Sequence, residues 1–247
     1  MPWLDCAALA HAKAAMIDSD VQCALDNPYW SSLATRHAHL AQGGALARRY
    51  PPAISRIAGL AGSSRAHVAA LESLVAVGDD MGTAGPFVPR LPANWETVEE
   101  FQLFQMVRVD RTPLPEVDVG ASVLTAADAG EAMALVELAR PGPFRPRTME
   151  LGTYVGVRVG GRLVAMAGER LWVDDFREVS GVCTHPLVEG RGYARALVAR
   201  VVNRMMRSGE TPFLHVRSHN KRAIELYRRL GFVRRAQFPM LYARRRS

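Results

Sequence analysis

The stretch Glu178-Val-Ser-Gly-Val-Cys-Thr-His-Pro-Leu-Val-Glu-Gly-Arg-Gly-Tyr-Ala194 decides the fold of this chain. Residues 179–184 are rich in β-branched side chains and precede Pro186, so they predict a short buried strand. Gly190 and Gly192 follow, and an apolar-periodic helix comes after them. A strand, a glycine turn and a helix start place free backbone N–H groups where an anion binds. The pattern alone also fits a plain tight turn, so the rest of the chain has to distinguish the two.

Length and composition indicate an ordinary globular protein. The chain has 247 residues, of which 49% are hydrophobic and 22% are charged, enough for one large domain or two modest ones. No apolar run reaches the length of a membrane span, and the first residues carry an acid and no basic segment. We therefore expect a cytoplasmic protein without a membrane partner. Its cysteines, Cys6, Cys23 and Cys183, are odd in number and widely spaced, which predicts neither disulfides nor a metal site.

Positive charge is concentrated at the C-terminal end. Residues 207–247 hold eleven Arg or Lys against two acids, while the whole chain has a net charge of +7. This fits either a solvated basic surface or attraction of a phosphate-bearing ligand. Aromatic residues are not interleaved with the basic ones, which argues against nucleic acid. His37 and His39 lack a third ligand nearby, so we interpret them as ordinary polar histidines.

The N-terminal half carries helical patterns and one clear strand. Thr112-Pro-Leu-Pro115 is a stiff, extended segment, and we place a domain boundary there, between residues 1–115 and 116–247. The patterns before it predict helices over 4–25, 51–60 and 65–77, an element of undecided type over 30–40, loops around at most a short strand over 78–94 and a strand over 101–109.

Beyond the boundary, strands and helices alternate. Gly160-Gly161 between two apolar runs predicts a β-hairpin, and Gly231 predicts the end of a helix. The order β-α-β-β-β-α-β-α-β predicts an α/β fold, with a mixed sheet and helices on both faces. The predicted elements are strand 122–124, helix 125–139, strands 153–159, 162–171 and 178–184, a helix ending near 208, strand 212–218, helix 220–230 and strand 238–243.

Two motifs in this half resemble those of the GCN5-related N-acetyltransferase (GNAT) superfamily, FR47-like type. The first, Arg/Gln-x-x-Gly-x-Gly/Ala, is matched by Glu189, Gly192 and Ala194, with Glu189 departing from the usual first residue. The second follows in 215–232, where an Asn-x-x-Ala-x-x-Leu-Tyr-x-x-x-Gly-Phe pattern begins at Asn220. The resemblance covers about residues 120–247. It implies a GNAT-type, mostly antiparallel sheet, with the N-terminal lobe as a degenerate second copy, a lid or an acceptor-binding element.

The resemblance implies acetyl-CoA as the co-substrate and no metal. Its pyrophosphate would bind the N–H groups of 190–195, and its pantetheine arm would pair with the strand 182–184 in a gap beside strand 213–217. Arg191 and Arg195 are either phosphate ligands or solvated arginines, and Asn220 either binds the arm or caps its helix. The implied cofactor-binding residues are Val182, Cys183, Thr184, Glu189, Gly190, Arg191, Gly192, Tyr193, Ala194, Arg195 and Asn220.

Glu178 and Tyr227 are the predicted catalytic residues. Glu178 begins the strand on which histone-type members carry a catalytic glutamate, and burial would raise its pKa toward the ~6–7 of a useful general base. The alternative is an exposed acid at a strand start. Tyr227 lies where the superfamily commonly places the acid that protonates the thiolate, or else it is a core aromatic. His185 and His215 are weaker candidates for the base, and we expect no acyl-enzyme at Cys183.

Two classes of function remain open at this point. In the first, the chain is an enzyme that moves an acetyl group from acetyl-CoA to a primary amine by direct attack, as a monomer or homodimer. In the second, it is a catalytically silent sensor that retains the acyl-CoA cradle. The acceptor cannot be named from the residues, since variable loops recognise it.

Overall fold

The computed structural model describes residues 24–247, so the helix predicted over 4–25 lies almost wholly outside the described residues. Within them the chain forms five α-helices and eleven strands, joined by turns and short 3-10 segments. The helices are α1 (Pro28–Ala34), α2 (Arg65–Leu74), α3 (Ala129–Ala139), α4 (Tyr193–Arg207) and α5 (Lys221–Arg229). The strands are β1 (Gln42–Gly43), β2 (Ala47–Arg49), β3 (Ala58–Leu60), β4 (Asp80–Ala84), β5 (Trp95–Val107), β6 (Ala121–Leu124), β7 (Tyr154–Val159), β8 (Arg162–Val173), β9 (Phe176–Thr184), β10 (Thr211–Arg217) and β11 (Val233–Arg245).

One eight-stranded sheet organises the molecule, in the order β4-β11-β5-β10-β9-β8-β7-β6. Its neighbouring strands are antiparallel except β9 and β10, which run parallel. The predicted hairpin between β7 and β8 is present, and Gly160 and Gly161 both take positive φ values, 57° and 79°, as a tight hairpin turn requires. The predicted mixed and mostly antiparallel sheet is confirmed.

Strand β5 belongs to this sheet although it precedes the boundary predicted at residues 112–115. It pairs with β10 on one side and with β11 on the other, and β4 pairs with the outer edge of β11. The predicted boundary therefore does not divide the sheet, although the assignment of separate roles to the two halves stays a prediction. Strand β5 is longer than predicted, because its polar first half, Trp95 to Glu100, pairs with the basic end of β11.

Residues 51–60 of the N-terminal half differ from the sequence prediction, and β1 and β2 were not predicted. Residues 51–60, predicted as a helix, form a turn and then β3, the third strand of a small antiparallel sheet with β1 and β2. Gly59 explains the difference, because a Cβ there would lie 2.5 Å from the backbone nitrogen of Trp30. The close approach of α1 thus holds this segment extended. The element of undecided type over 30–40 begins within α1.

Helices cover both faces of the main sheet, as predicted. On one face, α4 packs Leu197, Val198, Val201 and Val202 against β7, β8 and β10. On the other, α3 packs against Tyr154 and Met166, and a further cluster gathers α1 with β5 and the end of β8.

Two irregularities in the pairing of β8 with β9 change which face their side chains occupy. The register passes from Glu169–Val179 to Trp172–Arg177, so residues 170 and 171 stand opposite Glu178 alone. It shifts again near Gly181, whose φ is 62°. One extra residue in a strand reverses the alternation of side chains. Consequently Val179 lies in the α4 cluster, whereas Cys183 lies in the α3 cluster.

Candidate active site

The turn between β9 and α4 has the geometry of an anion-binding cradle. Gly190 and Gly192 have φ values of 80° and 85°, and a Cβ on either would meet no atom within 4 Å. Ala196 N–H donates to Gly192 O at 3.1 Å, and over the described part of the chain no backbone acceptor is recorded for the N–H groups of 190–192. These groups and the start of α4 face open space, where the helix dipole favours negative charge.

Strands β9 and β10 diverge beside this turn. Their parallel pairing covers only Phe176 to Glu178 and Thr211 to Phe213, and beyond these residues the two strands share no register. The rest of β9, from Gly181 to Thr184, therefore has a free edge on the side of β10. An extended ligand can add to such an edge through backbone hydrogen bonds.

A groove with a volume of about 1170 Å³ runs through this opening. At one end, which we call the phosphate end, it is lined by residues 188–195 and by Asn220 and Arg222. Val182, Cys183, Thr184 and Tyr227 line its middle. The opposite end, which we call the far end, is lined by Tyr29, Arg56, Glu99, Arg145, Arg170, Arg217 and Tyr242.

The residues of the groove fit acetyl-CoA as its ligand. Thr184 Oγ1 is buried and has no hydrogen-bond partner within residues 24–247, as expected for an atom that a ligand in the gap would satisfy. The turn of Gly190 and Gly192 leaves room for a pyrophosphate. All predicted cofactor-binding residues, from Val182 to Asn220, line this one groove.

Glu189 and the neighbouring arginines form the rim of the phosphate end. Glu189 is paired with Arg222 at the start of α5, so its charge is balanced from across the groove mouth. Arg195 and Arg222 also line a smaller adjoining recess together with Arg229. Arginine at this rim therefore comes from α5 as well as from the turn, which the sequence motif did not indicate.

Asn220 caps α5. Its Oδ1 accepts a hydrogen bond from Ala223 N–H at 3.0 Å, which leaves its amide nitrogen as a donor at the groove wall. The interpretations of Asn220 as an N-cap and as a ligand of the cofactor arm are thus compatible.

Tyr227 projects from α5 into the middle of the groove. Its ring packs at a steep angle against Phe232, with centroids 6.0 Å apart, and only 8% of the residue is exposed. No hydrogen bond of its hydroxyl is recorded for the described residues, and burial raises its pKa, so it remains a protonated donor. Tyr227 is therefore both a core aromatic and a hydroxyl facing the predicted ligand.

Glu178 is fully buried and tightly held. Arg170 donates to it twice, from Nε to Oε2 and from Nη2 to Oε1, both at 2.7 Å. Leu171 N–H donates to Oε2 at 3.2 Å, and His215 Nδ1 lies 2.7 Å from Oε1. The four contacts occupy the acceptor positions of the carboxylate.

The predicted rise in the pKa of Glu178 is wrong. Burial alone would raise that pKa, but the charge of Arg170 and the hydrogen bonds from Arg170 and His215 outweigh it and lower the pKa to about 2. The alternative of an exposed acid is also wrong, because the side chain has no exposed surface. Sequence reasoning missed Arg170, because its opposition to Glu178 depends on the bulge in β8.

His215 belongs to the same buried network. Gln105 Nε2 lies 3.3 Å from His215 Nε2, and Arg235 donates to Gln105 Oε1 at 2.9 Å. Because Arg235 fixes the Gln105 oxygen as an acceptor, the Gln105 nitrogen donates to His215, and His215 Nδ1–H donates to Glu178. Both ring nitrogens of His215 are thus engaged. His185 instead accepts from Leu187 N–H at 3.2 Å in an exposed turn.

His37 and Cys183 are both buried. Within residues 24–247 no group of three or more His, Cys, Asp or Glu side chains could hold a metal ion. His37 hydrogen-bonds the Tyr50 hydroxyl at 2.8 Å, and burial lowers the pKa of His37 to about 4. Burial raises the pKa of Cys183 to about 12, so its thiolate is scarce at neutral pH.

Among the helices that the structure describes, none is long and apolar enough to cross a membrane.

Comparison with known proteins agrees with this geometry. A family model described as "FR47-like protein" matches residues 154–239. The N-alpha-acetyltransferase RimI of Mycobacterium tuberculosis is 39% identical over 84 residues, which are 33% of this chain and 52% of that protein. The chain thus aligns with about half the length of this curated relative.

Two solved structures extend the comparison to nearly the whole chain. A GNAT-family acetyltransferase structure from Novosphingobium aromaticivorans is 34% identical, with a TM-score of 0.84, over 92% of this chain and 100% of the other. A GCN5-related N-acetyltransferase from Kribbella flavida, 17% identical with a TM-score of 0.57, covers 87% and 94% and shows the shared fold alone.

Proposed function

Since this chain belongs to the GCN5-related N-acetyltransferase superfamily as an FR47-like member, we propose that it moves an acetyl group from acetyl-CoA to a primary amine by direct attack. The observation that carries the proposal is the continuity of one groove, from the glycine turn through the divergence of β9 and β10 to a separate far end. A sensor of acyl-CoA needs only the first two parts. The far end supplies the space for a second substrate.

In this mechanism the residues of 190–195 and the dipole of α4 hold the pyrophosphate, with Arg191, Arg195 and Arg222 as further cationic groups at the rim. The free edge of β9 at Val182 to Thr184 aligns the pantetheine arm, and Asn220 contributes its amide nitrogen. A backbone N–H near Val182 or Cys183 would stabilise the negative charge that develops on the thioester carbonyl oxygen.

Tyr227 protonates the departing thiolate from the middle of the groove. Burial raises the pKa of Tyr227, so its hydroxyl is protonated at neutral pH and available to donate to the thiolate as it forms. Its place on α5, across the gap from β9, supports this role.

The general-base role of Glu178 stays a prediction, and its contacts favour a different one. A carboxylate with four engaged acceptor positions and a lowered pKa is a weak proton acceptor for an ammonium ion. We propose that Glu178 is a positioning residue that orients Arg170 in the far end. The amine would then reach the thioester uncharged, with its proton released to solvent through the groove.

The N-terminal half is proposed to shape the acceptor site. Tyr29 and Arg56 line the far end from before β4, and Glu99 lines it from β5, whereas the phosphate end is built from residues 188–229. The location in the cytoplasm and the oligomeric state stay predictions.

The test of the proposed function has two steps with the full chain. Calorimetry should show saturable binding of acetyl-CoA, and release of free thiol should then depend on an added amine and yield an acetylated amine by mass spectrometry. Binding without turnover across a broad panel of amines would support the sensor, and absence of binding would refute both.

A further inference from the structure

The far end of the groove carries positive charge, which the proposed acetyl transfer does not by itself require. Four arginines line it, Arg56, Arg145, Arg170 and Arg217, with Glu99 as their acidic neighbour on the wall. Ammonium acceptors are repelled by such a lining, so the cationic groups must serve another part of the acceptor.

The arginines are only partly neutralised. Asp80 pairs with both Arg56 and Arg145, the second at 3.2 Å. Glu99 pairs with Arg217, and Glu178 pairs with Arg170. Three carboxylates thus face four guanidinium groups, and Glu137 and Arg140 elsewhere on the groove wall are opposite in charge, which leaves one net positive charge. The Nε atoms of Arg56 and Arg145 are moreover buried without a recorded partner in the described chain.

Arg170 presents a free edge to this space. Its guanidinium has five N–H bonds, of which Glu178 takes one from Nε and one from Nη2. For the remaining three, the described residues supply no recorded acceptor, and the side chain retains 17% exposure at the groove wall. Glu178 therefore holds Arg170 rigidly, with its outer nitrogen facing the groove.

Aromatic residues confine the same space. The guanidinium carbon of Arg56 lies 4.9 Å from the ring centre of Tyr242, and that of Arg217 lies 3.7 Å from the ring centre of Phe101. The rings of Phe101 and Tyr242 are 6.1 Å apart. Such walls exclude water and strengthen the attraction between Arg170 and an anion.

We propose that the far end binds a carboxylate carried by the amine acceptor, with the free edge of Arg170 as its anchor. This rests on the proposed function and names its substrate class, a primary amine that also bears a carboxylate. The single negative charge of a carboxylate matches the one unbalanced positive charge, whereas the two negative charges of a phosphate dianion exceed it. The guanidinium edge also matches a carboxylate in geometry.

The first experiment compares matched substrates on the full chain. The probes are the ω-amino carboxylates from glycine to 6-aminohexanoate, each paired with the alkylamine that lacks the carboxylate. At the favoured chain length kcat/KM should be at least ~10-fold higher for the carboxylate, as for a charge-assisted hydrogen-bonded pair. Equal or better activity of the alkylamines at every length would overturn the proposal. Calorimetry with CoA-saturated protein measures the same ratio as affinities where turnover is slow.

The second experiment removes the anchor. In the double variant Arg170→Gln/Glu178→Gln, an amide pair replaces the buried ion pair, so no charge is left unpaired. The ratio of kcat/KM between paired substrates should fall toward one through KM, while the affinity for acetyl-CoA stays within ~2-fold of the native value. Arg158→Gln, which removes an arginine paired with Asp128 and Glu131 outside the groove, is the control.

A milder variant keeps the test decisive if the double variant does not fold. Arg145→Gln changes a partly exposed residue of the far end and removes the unbalanced charge. It should lower the ratio ~3-fold or more, and an unchanged ratio would overturn the proposal. Intact acetyl-CoA binding with no preference for carboxylates refutes this inference alone, whereas loss of acetyl-CoA binding in the native chain refutes the proposed function.

Discussion

Arg170 and Glu178 face each other across the β8–β9 pairing as a bidentate ion pair, with both N–O distances at 2.7 Å. The pair exists because residues 170 and 171 of β8 together oppose Glu178 on β9. It links the interior of the sheet to the far end of the groove, since Glu178 is buried while Arg170 reaches the groove wall.

Glu178→Gln should destabilise the protein strongly, because it leaves Arg170 charged and largely buried without its counter-ion. Loss of one partner of a buried pair costs about 3–5 kcal/mol. Because the folded pKa of about 2 lies below the ordinary value of 4.5, the contribution of Glu178 is complete above about pH 4.5 and is lost as pH falls toward 2. Denaturant unfolding of both proteins between pH 3 and 7 checks this, and a difference that grows with acidity would contradict it.

The pH profile of turnover distinguishes the two roles of Glu178. If the pKa of Glu178 is lowered, its titration does not affect kcat near neutral pH. Any fall in kcat with a midpoint near pH 6–7 should then persist in Glu178→Gln. A native acid limb there that disappears in Glu178→Gln would restore the base role. Circular dichroism over the same pH range controls for unfolding.

Gly192→Asp should weaken binding of acetyl-CoA by at least ~10-fold relative to Gly192→Asn. Both substitutions place a side chain of the same shape at a left-handed position with open space around it, and Asn and Asp both tolerate that conformation. They differ in the negative charge that Asp brings to the phosphate end. Calorimetry on both variants gives the ratio, and equal affinities would place the pyrophosphate elsewhere.

Tyr227→Phe should lower kcat by ~10²-fold with little change in melting temperature or acetyl-CoA affinity, because only the hydroxyl is removed. Tyr154→Phe removes another buried hydroxyl from the groove wall and serves as the control. Single-turnover measurements isolate the chemical step. Wild-type rates in Tyr227→Phe would leave the residue with a packing role only.

Cys183→Ala should retain most of the turnover, since direct attack needs no thiol nucleophile. The raised pKa of about 12 and the burial of the thiol in the α3 cluster support this expectation. Mass spectrometry after mixing native protein with acetyl-CoA should find no acetylated Cys183. A covalent acetyl group on Cys183 that an amine removes would overturn direct attack.

Much of the fold could be predicted from local patterns in the C-terminal half. The hairpin at Gly160-Gly161 and the glycine turn before α4 are set by residues next to one another in sequence, and both are present. The place of β5 between β10 and β11 could not be predicted, because pairing between distant strands leaves no local signal.

The residues of the site fall into the same two groups, those set by local sequence and those set by contacts between distant segments. Motifs indicated the residues of the phosphate end and Tyr227, which line one groove, since these depend on one turn and one helix face; their roles stay predictions. The sign of the pKa shift of Glu178 was missed, because it depends on Arg170, which lies opposite only through the bulge in β8. Arg56 and Tyr242 also lack a motif, because they meet through the packing of the segment before β3 against the distant strand β11.

The central place of β5 also sets the order in which the protein can assemble. Its contact between Gln105 and His215 spans 110 residues, and that between Gln105 and Arg235 spans 130. During synthesis β5 leaves the ribosome long before either neighbour, with both of its edges unpaired. Contacts so distant along the chain slow folding, and exposed strand edges invite association with other chains. Newly made chains of this protein should therefore depend on chaperones until β10 and β11 have closed around β5.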